Sequence, residues 1–305
     1  MKAFYCDHFV LPLPDGHRFP MAKYALLRAA VAGLPGLDLR VPEAATDEQL
    51  LRVHSRDYLE AVFTGRLERD AVRRIGFPWS PELVERSRRS VGGTVAAAHA
   101  ALEEGVAANL AGGTHHAYPD HGEGFCVFND VAVAARDVLA RGEARRVAIL
   151  DLDVHQGNGT AAVFGEDDRV LTLSVHGQGN YPFRKEDGDL DIGLPDGAGD
   201  DTYLDASDRA LRIAIQWAPD LILFIAGADP WEGDALGRLT VTREGLAHRD
   251  ELVLGAAAGA GIPLAVVMAG GYAPDPRDIA RIHTTTIERA LAGWLESRPG
   301  LLSPS

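Results

Sequence analysis

The chain has 305 residues and an apolar share of 46%, enough for a substantial core and too much for a disordered protein. Its formal charge of −14, without a long basic run, argues against nucleic acid as the main partner. A cationic substrate, such as a lysine-bearing peptide or a polyamine, suits that balance better.

Cys6 and Cys126 are the only cysteines, so no disulfide framework is implied, and Cys126 in "GFCVF" reads as a buried structural thiol. The N-terminus "MKAFYCDHFVLPLP" lacks a signal-peptide pattern, and no segment reaches the length of a membrane span. A soluble cytoplasmic protein with no membrane partner is expected.

In chain order, residues 82–104 read as a helix weakened in the middle by Gly92 and Gly93. "GVAANLAGG" is a short strand and "THHAYPDHGEGF" a loop. "NDVAVAARDVLARG" opens on Asn129 and closes on Gly142, as a capped helix does. Strands and helices then alternate: strands "RRVAILDLDVH" and "RVLTLSVH", helix 202–218, strand "PDLILFIAGAD", helix 242–261, strand "IPLAVVMAGGY" and helix 276–297. Near-continuous apolar strands separated by helices predict one α/β domain, a parallel sheet covered on both faces. The tail "RPGLLSPS" is expected to be loose. The long stretch 176–200 between strand and helix reads as a functional or mobile loop, with "EDGDLD" as a solvated part of it.

"VAILDLDVHQGNG", residues 147–159, places Asp151, Asp153 and His155 at every second position, hence on one side of a strand end. Converging polar groups would destabilise a core unless they bind one another or a metal. Other strand candidates deliver His115 and His116, Asp229 and Tyr272 to their own C-terminal ends, where open α/β sheets bind ligands. Asp153, His155 and Asp229 would supply zinc with one nitrogen and two oxygens and leave a position open. A water there benefits from a base, which the histidine pair offers. The Tyr272 hydroxyl, behind Gly270 and Gly271, can reach a developing oxyanion. His54, His99, His248 and His283 read as surface or satisfied core residues.

"GGTHHA", "GFCVFND", "DLDVHQGNG", "AGADP" and "GGY" resemble, in order and spacing, the zinc-dependent histone deacetylases of the arginase/deacetylase fold, from about residue 15 to about 290. Gln156 and Asn158 resemble class IV members and their bacterial relatives more than class I. The resemblance implies a three-layer α/β/α sandwich that removes acyl groups from lysine side chains with zinc-activated water. It matches Asp153, His155 and Asp229 to the zinc ligands. His116 matches the base and acid, and His115 its electrostatic partner. Asp151 matches the carboxylate behind His115, and Tyr272 the hydroxyl that polarises the carbonyl.

Main-chain oxygens of Asp151, Asp153, His155 and Val175, with the Ser174 hydroxyl, match a structural potassium site. Gly124 and Phe125 match the acyl-lysine tunnel; Tyr181, Pro182, Phe183, Phe77 and Trp79 are implied at its rim, and Gly270 and Gly271 are expected along its wall. Lys23 matches a channel residue that is often arginine. His116 would face Asn158 where class I has aspartate, which predicts a lower histidine pKa. The rim lacks the substrate-gripping aspartate of some members, leaving room for small or fatty substrates.

The same chemistry fits acetylated polyamines and small metabolites, and the donor set can also accept ferrous iron. A two-manganese ureohydrolase is disfavoured because Gly157 stands where it needs an aspartate. A non-catalytic acyl-binding module is disfavoured by the intact donor set, His116 and Tyr272.

Overall fold

The computed structural model describes residues 1–14 and 16–298. Its strands are β1 (Lys2–Phe4), β2 (Asp38–Arg40), β3 (Val106–Asn109), β4 (Val147–Asp151), β5 (Val170–Gly177), β6 (Leu190–Leu194), β7 (Leu221–Ala226) and β8 (Leu264–Met268). They form one eight-stranded sheet in the order β2-β1-β3-β8-β7-β4-β5-β6. Every neighbouring pair is parallel.

The helices are α1 (Ala22–Val31), α2 (Asp47–Leu51), α3 (Arg56–Thr64), α4 (Arg69–Ile75), α5 (Pro81–Glu104), α6 (Asp130–Ala140), α7 (Asn158–Phe164), α8 (Asp200–Gln216), α9 (Arg243–Ala260) and α10 (Pro276–Glu296). One face of the sheet packs on α1, α8, α9 and α10, and the other on α2, α3, α5 and α6. In β7, Ile222 and Phe224 enter the first core while Leu223 and Ile225 enter the second. Burial on both faces explains why β4, β7 and β8 read as unbroken apolar runs. The layers are those of the α/β/α sandwich expected from the sequence.

α5 runs unbroken through Gly92 and Gly93. A Cβ on Gly92 would collide with the Glu43 carbonyl, and one on Gly93 would lie 2.8 Å from Oδ1 of Asn109 at the end of β3. Close packing outweighs the propensity cost of glycine there. The expected long loop at 176–200 contains the edge strand β6, paired to β5. Its acidic run is engaged rather than simply solvated: Asp189 accepts from the backbone of Thr172, and Asp191 from Gln156. The tail expected to be loose lies, from residue 299, outside the described residues. No helix among the described residues is long and apolar enough to cross a membrane.

Candidate metal centre and active site

β3, β8, β7 and β4 are adjacent and parallel, so their C-terminal ends share one edge of the sheet. The segments that leave them carry the residues singled out from the sequence. β4 stops at Asp151, so the alternation of Asp153 and His155 belongs to the following turn, not to the strand. Carboxylates hold that turn in place: Asp151 accepts from the Asp153 backbone at 3.1 Å, and Asp153 from the His155 backbone at 2.9 Å.

Asp153, His155 and Asp229 are buried, and one ligand atom of each lies within 4.8 Å of the others. Nδ1 of His155 lies 3.0 Å from Asp153 Oδ1 and 3.1 Å from Asp229 Oδ2. The remaining carboxylate oxygens are fixed by the backbone. Gly270 donates to Asp153 Oδ2 at 2.8 Å, and Val154 donates to Asp229 Oδ1 at 3.0 Å. A Cβ on Gly270 would fall inside the Asp229 carboxylate, so only glycine permits this approach.

Burial, reinforced by the Asp153 charge, pushes Asp229 up to about 7. Burial alone would lower His155, but its bonds to both carboxylates outweigh that and raise it to about 10. Two buried carboxylates and one imidazole thus compete for protons. A divalent cation satisfies such a donor set better. The three residues fit a metal.

Beside them, Nδ1 of His115 lies 2.6 Å from Asp151 Oδ2. Burial opposes a charge on His115, yet the Asp151 carboxylate prevails and raises it to about 9. Nδ1 of His116 lies 2.7 Å from Asn158 Oδ1. Burial first, then the neighbouring His115 and His155 charges, hold His116 well below the usual histidine range. The Tyr272 ring stands edge-on to His155, with centroids 6.1 Å apart. Burial and the two nearby carboxylates push its phenol well above the usual range, so it remains a donor.

His116, His155 and Tyr272 line a cavity of about 640 Å³ together with Gly124, Phe125, Tyr181 and Phe183. Behind them a pocket of about 40 Å³ is bounded by Lys23, Tyr24, Cys126, Gly270 and Tyr272. The deacetylase chemistry expected from five short motifs therefore has a matching constellation, and the histone deacetylase domain family matches residues 17–289. The chain belongs to the histone deacetylase family.

It is 44% identical over 284 residues to an uncharacterized protein of Picosynechococcus sp., covering 92% of this chain and 95% of that one. It is 34% identical over 269 residues to histone deacetylase 2 of Arabidopsis thaliana, covering 85% and 69%. The fold is similar to a crystal structure of an HDAC homolog complexed with SAHA, with a TM-score of 0.80 at 26% identity, covering 95% of this chain and 83% of that one. As a member of this family the chain is a hydrolase, with deacetylase or amidohydrolase activity.

Several expected wall residues sit elsewhere. Phe77 is buried behind Phe125 in an aromatic cluster, with ring centroids 5.2 Å apart. Trp79 packs over Gly65 and donates to the Val62 carbonyl at 2.7 Å, away from the cavity. Pro182 is buried beneath the rim, whereas Phe183 is 83% exposed on it. Gly271 lies behind the site, where its carbonyl accepts from Lys23. Lys23 is buried and also donates to the Ala269 carbonyl at 3.1 Å. Ser174 pairs in register with Asp151, so Ser174 and Val175 on β5 lie beside the end of β4, where the turn carrying Asp153 and His155 begins.

Sequence reasoning missed the groups that hold these side chains. Asp130 accepts from the Gly113 and Thr114 backbones and anchors the histidine loop. Asp234 accepts from the Tyr272 backbone at 2.6 Å. Glu123 and Tyr118 both contact the Asn158 amide nitrogen, at 2.7 and 3.1 Å. Asn129 and Asp130 at least lay in a quoted motif; Asp234 and Glu123 had no spacing signal. His283 departs from expectation too, being buried with no partner among the described residues for either ring nitrogen.

Proposed function

We propose that the protein is a metal-dependent amidohydrolase that removes acetyl groups from lysine side chains, as a single catalytic domain with its core at about residues 15–290. The observation that carries this reading is the buried cluster of Asp153, His155 and Asp229, whose His155 lines one cavity together with His116 and Tyr272. Asp153, His155 and Asp229 would hold zinc, or ferrous iron. Such an ion supplies Lewis-acid polarisation of the amide carbonyl and acidifies a water beside it.

The chain's own groups do the rest. His116, kept neutral by burial, takes a proton from the attacking water at Nε2 while Asn158 holds its Nδ1. Tyr272 donates a hydrogen bond to the carbonyl oxygen as negative charge develops there. His115, charged through Asp151, stabilises the anionic intermediate electrostatically. His116 then returns its proton to the leaving amine. The Ser174 hydroxyl and the main-chain oxygens of Asp151, Asp153, His155 and Val175 would hold a structural potassium ion.

Gly157 supports a single-metal site, because a Cβ there would strike the Asp151 carboxylate. A polyamine substrate is disfavoured by the cavity wall, which carries arginines and no carboxylate among the described lining residues. The test is turnover of an acetyl-lysine peptide by the zinc-loaded protein, read by mass spectrometry. Activity lost on chelation and reduced about 10²-fold or more in Tyr272→Phe is expected. No free-lysine product from any acetyl-lysine peptide would overturn the lysine reading.

A further inference from the structure

The chain carries 44 acidic and 30 basic residues, yet the cavity wall reverses that balance. Arg18, Arg73, Arg74 and Arg238 line it together with His17, and no Asp or Glu is among the described lining residues. The arginines come from three separate parts of the fold: the segment before α1, the C-terminal turn of α4, and the segment after Asp229. Arg73 pairs with Asp70, and Arg238 with Asp196, both as exposed pairs. Those contacts are weak and readily exchanged for a ligand.

Arg74 has no ion-pair partner among the described residues. Its position is tied to the reacting centre, because its carbonyl accepts from Gly124 at 3.1 Å and the adjacent Ile75 carbonyl accepts from Phe125 at 2.7 Å. Gly124 and Phe125 both have positive φ, 56° and 65°, so this stretch of wall is a specific and costly backbone shape. The guanidiniums are thereby presented on the wall that also contains His116 and Tyr272.

The inner pocket of about 40 Å³ lies behind Tyr272 and suits a small acyl group. The amine-bearing half of a substrate must then lie outward, toward the arginines. Guanidiniums recognise carboxylates in a planar, two-pronged geometry.

We infer that the substrate is anionic on its amine-bearing half, with a carboxylate held at the arginine-lined mouth while the acylated amine reaches the floor. This rests on the amidohydrolase reading for which end of the substrate points inward. The carboxylate can belong to Asp or Glu beside an acetyl-lysine in a peptide, or to a small acylated amino acid. A net-acidic protein with this mouth would exclude polycations and collect acids.

The test measures binding and turnover separately. Zinc-loaded Tyr272→Phe protein is titrated calorimetrically with three acetyl-lysine peptides whose flanking residues are acidic, neutral or basic. Nε-acetyl-lysine and its carboxyl-amide form a fourth and fifth arm. Arg74→Gln and Arg18→Gln are made in the same background. The acidic peptide is expected to bind about tenfold more tightly than the basic one, with the gap shrinking in Arg74→Gln and at high salt. Preference for free Nε-acetyl-lysine over its amide, without a peptide preference, would identify the small-molecule source.

Equal affinities throughout, or a preference for the basic peptide, would overturn the inference. Wild-type turnover of the neutral peptide reports on the amidohydrolase reading alone. Charge-ordered binding without turnover would sink that reading and leave the anion-selective mouth standing.

Discussion

Nδ1 of His116 lies 2.7 Å from the side-chain oxygen of Asn158, and the amide nitrogen of Asn158 lies 2.7 Å from a Glu123 carboxylate oxygen. A neutral amide thus stands between the histidine and the nearest negative charge on that side. It orients the ring and fixes the proton on Nδ1, leaving Nε2 free to accept. It does not offset the burial and the His115 and His155 charges that keep His116 well below its ordinary value. Asn158→Asp with Glu123→Gln would place a carboxylate against the ring and raise its pKa by about 1–3 units. The base must be neutral to act, so the acidic limb of kcat/KM should move to higher pH. Asn158→Asp alone should shift it less, because two carboxyls in contact would share a proton. An unmoved limb in the double variant would remove His116 from the role of base.

Gly270 provides a sharper test of the metal centre than replacement of a ligand. Its N–H fixes Asp153, and its missing Cβ leaves room for Asp229. Gly270→Ala should displace the Asp229 carboxylate and lower zinc affinity by about 10–100-fold, the range seen when supporting contacts of metal ligands are lost. Competition with a zinc-binding dye reads this directly. Gly271→Ala is the comparison, since its Cβ would meet Ile279 instead. A larger loss of zinc affinity in Gly271→Ala than in Gly270→Ala would contradict the assignment.

The central strands and the residues at their ends were legible because burial on both faces leaves unbroken apolar runs, and chemistry gathers where those runs stop. β7 and Asp229 illustrate both. The first eighty residues offered no such pattern: β1 and β2 span three residues each, and α2 only five, too short for periodicity to show. Supporting groups such as Glu123 and Asp234 were illegible for a different reason. They act through contacts distant in sequence, with Glu123 reaching Asn158 across 35 positions and Asp234 reaching Tyr272 across 38. The charge balance could not locate the arginines of the cavity wall, since the sum over the chain says nothing about the sign at one site.

The size of the inner pocket sets an expectation for acyl length. Its volume of about 40 Å³ is a few times the roughly 10–15 Å³ that one water needs by the same measure, which is room for a small acyl group. An acetyl methyl group fits with room to spare, whereas each added methylene brings the chain closer to Lys23, Cys126 and Tyr24, which line the pocket. Each extra methylene in a fitted apolar pocket changes discrimination by about 10–200-fold. Relative kcat/KM on one peptide bearing acetyl, propionyl, butyryl or myristoyl should therefore fall at least about tenfold from acetyl to butyryl. A maximum at a longer chain would mean that the acyl group lies outward and the amine does not.

Arg249 is fully buried on α9 and ties that helix to the sheet edge that carries Asp229. Nη1 donates to the Gly227 carbonyl at 2.6 Å, two residues before Asp229, and to the Tyr203 hydroxyl at 3.3 Å. Nε donates to Asp250 at 2.9 Å, and Thr286 donates to the other oxygen of that carboxylate. Arg249→Ala leaves Asp250 buried without its cation and should destabilise the protein by about 3–5 kcal/mol. Arg249→Met with Asp250→Leu removes both charges and should cost markedly less. Urea unfolding distinguishes them, with the midpoint reduced and the slope unchanged in Arg249→Ala. If both variants lose the same stability, packing around the guanidinium, and not the stranded carboxylate, dominates at this site.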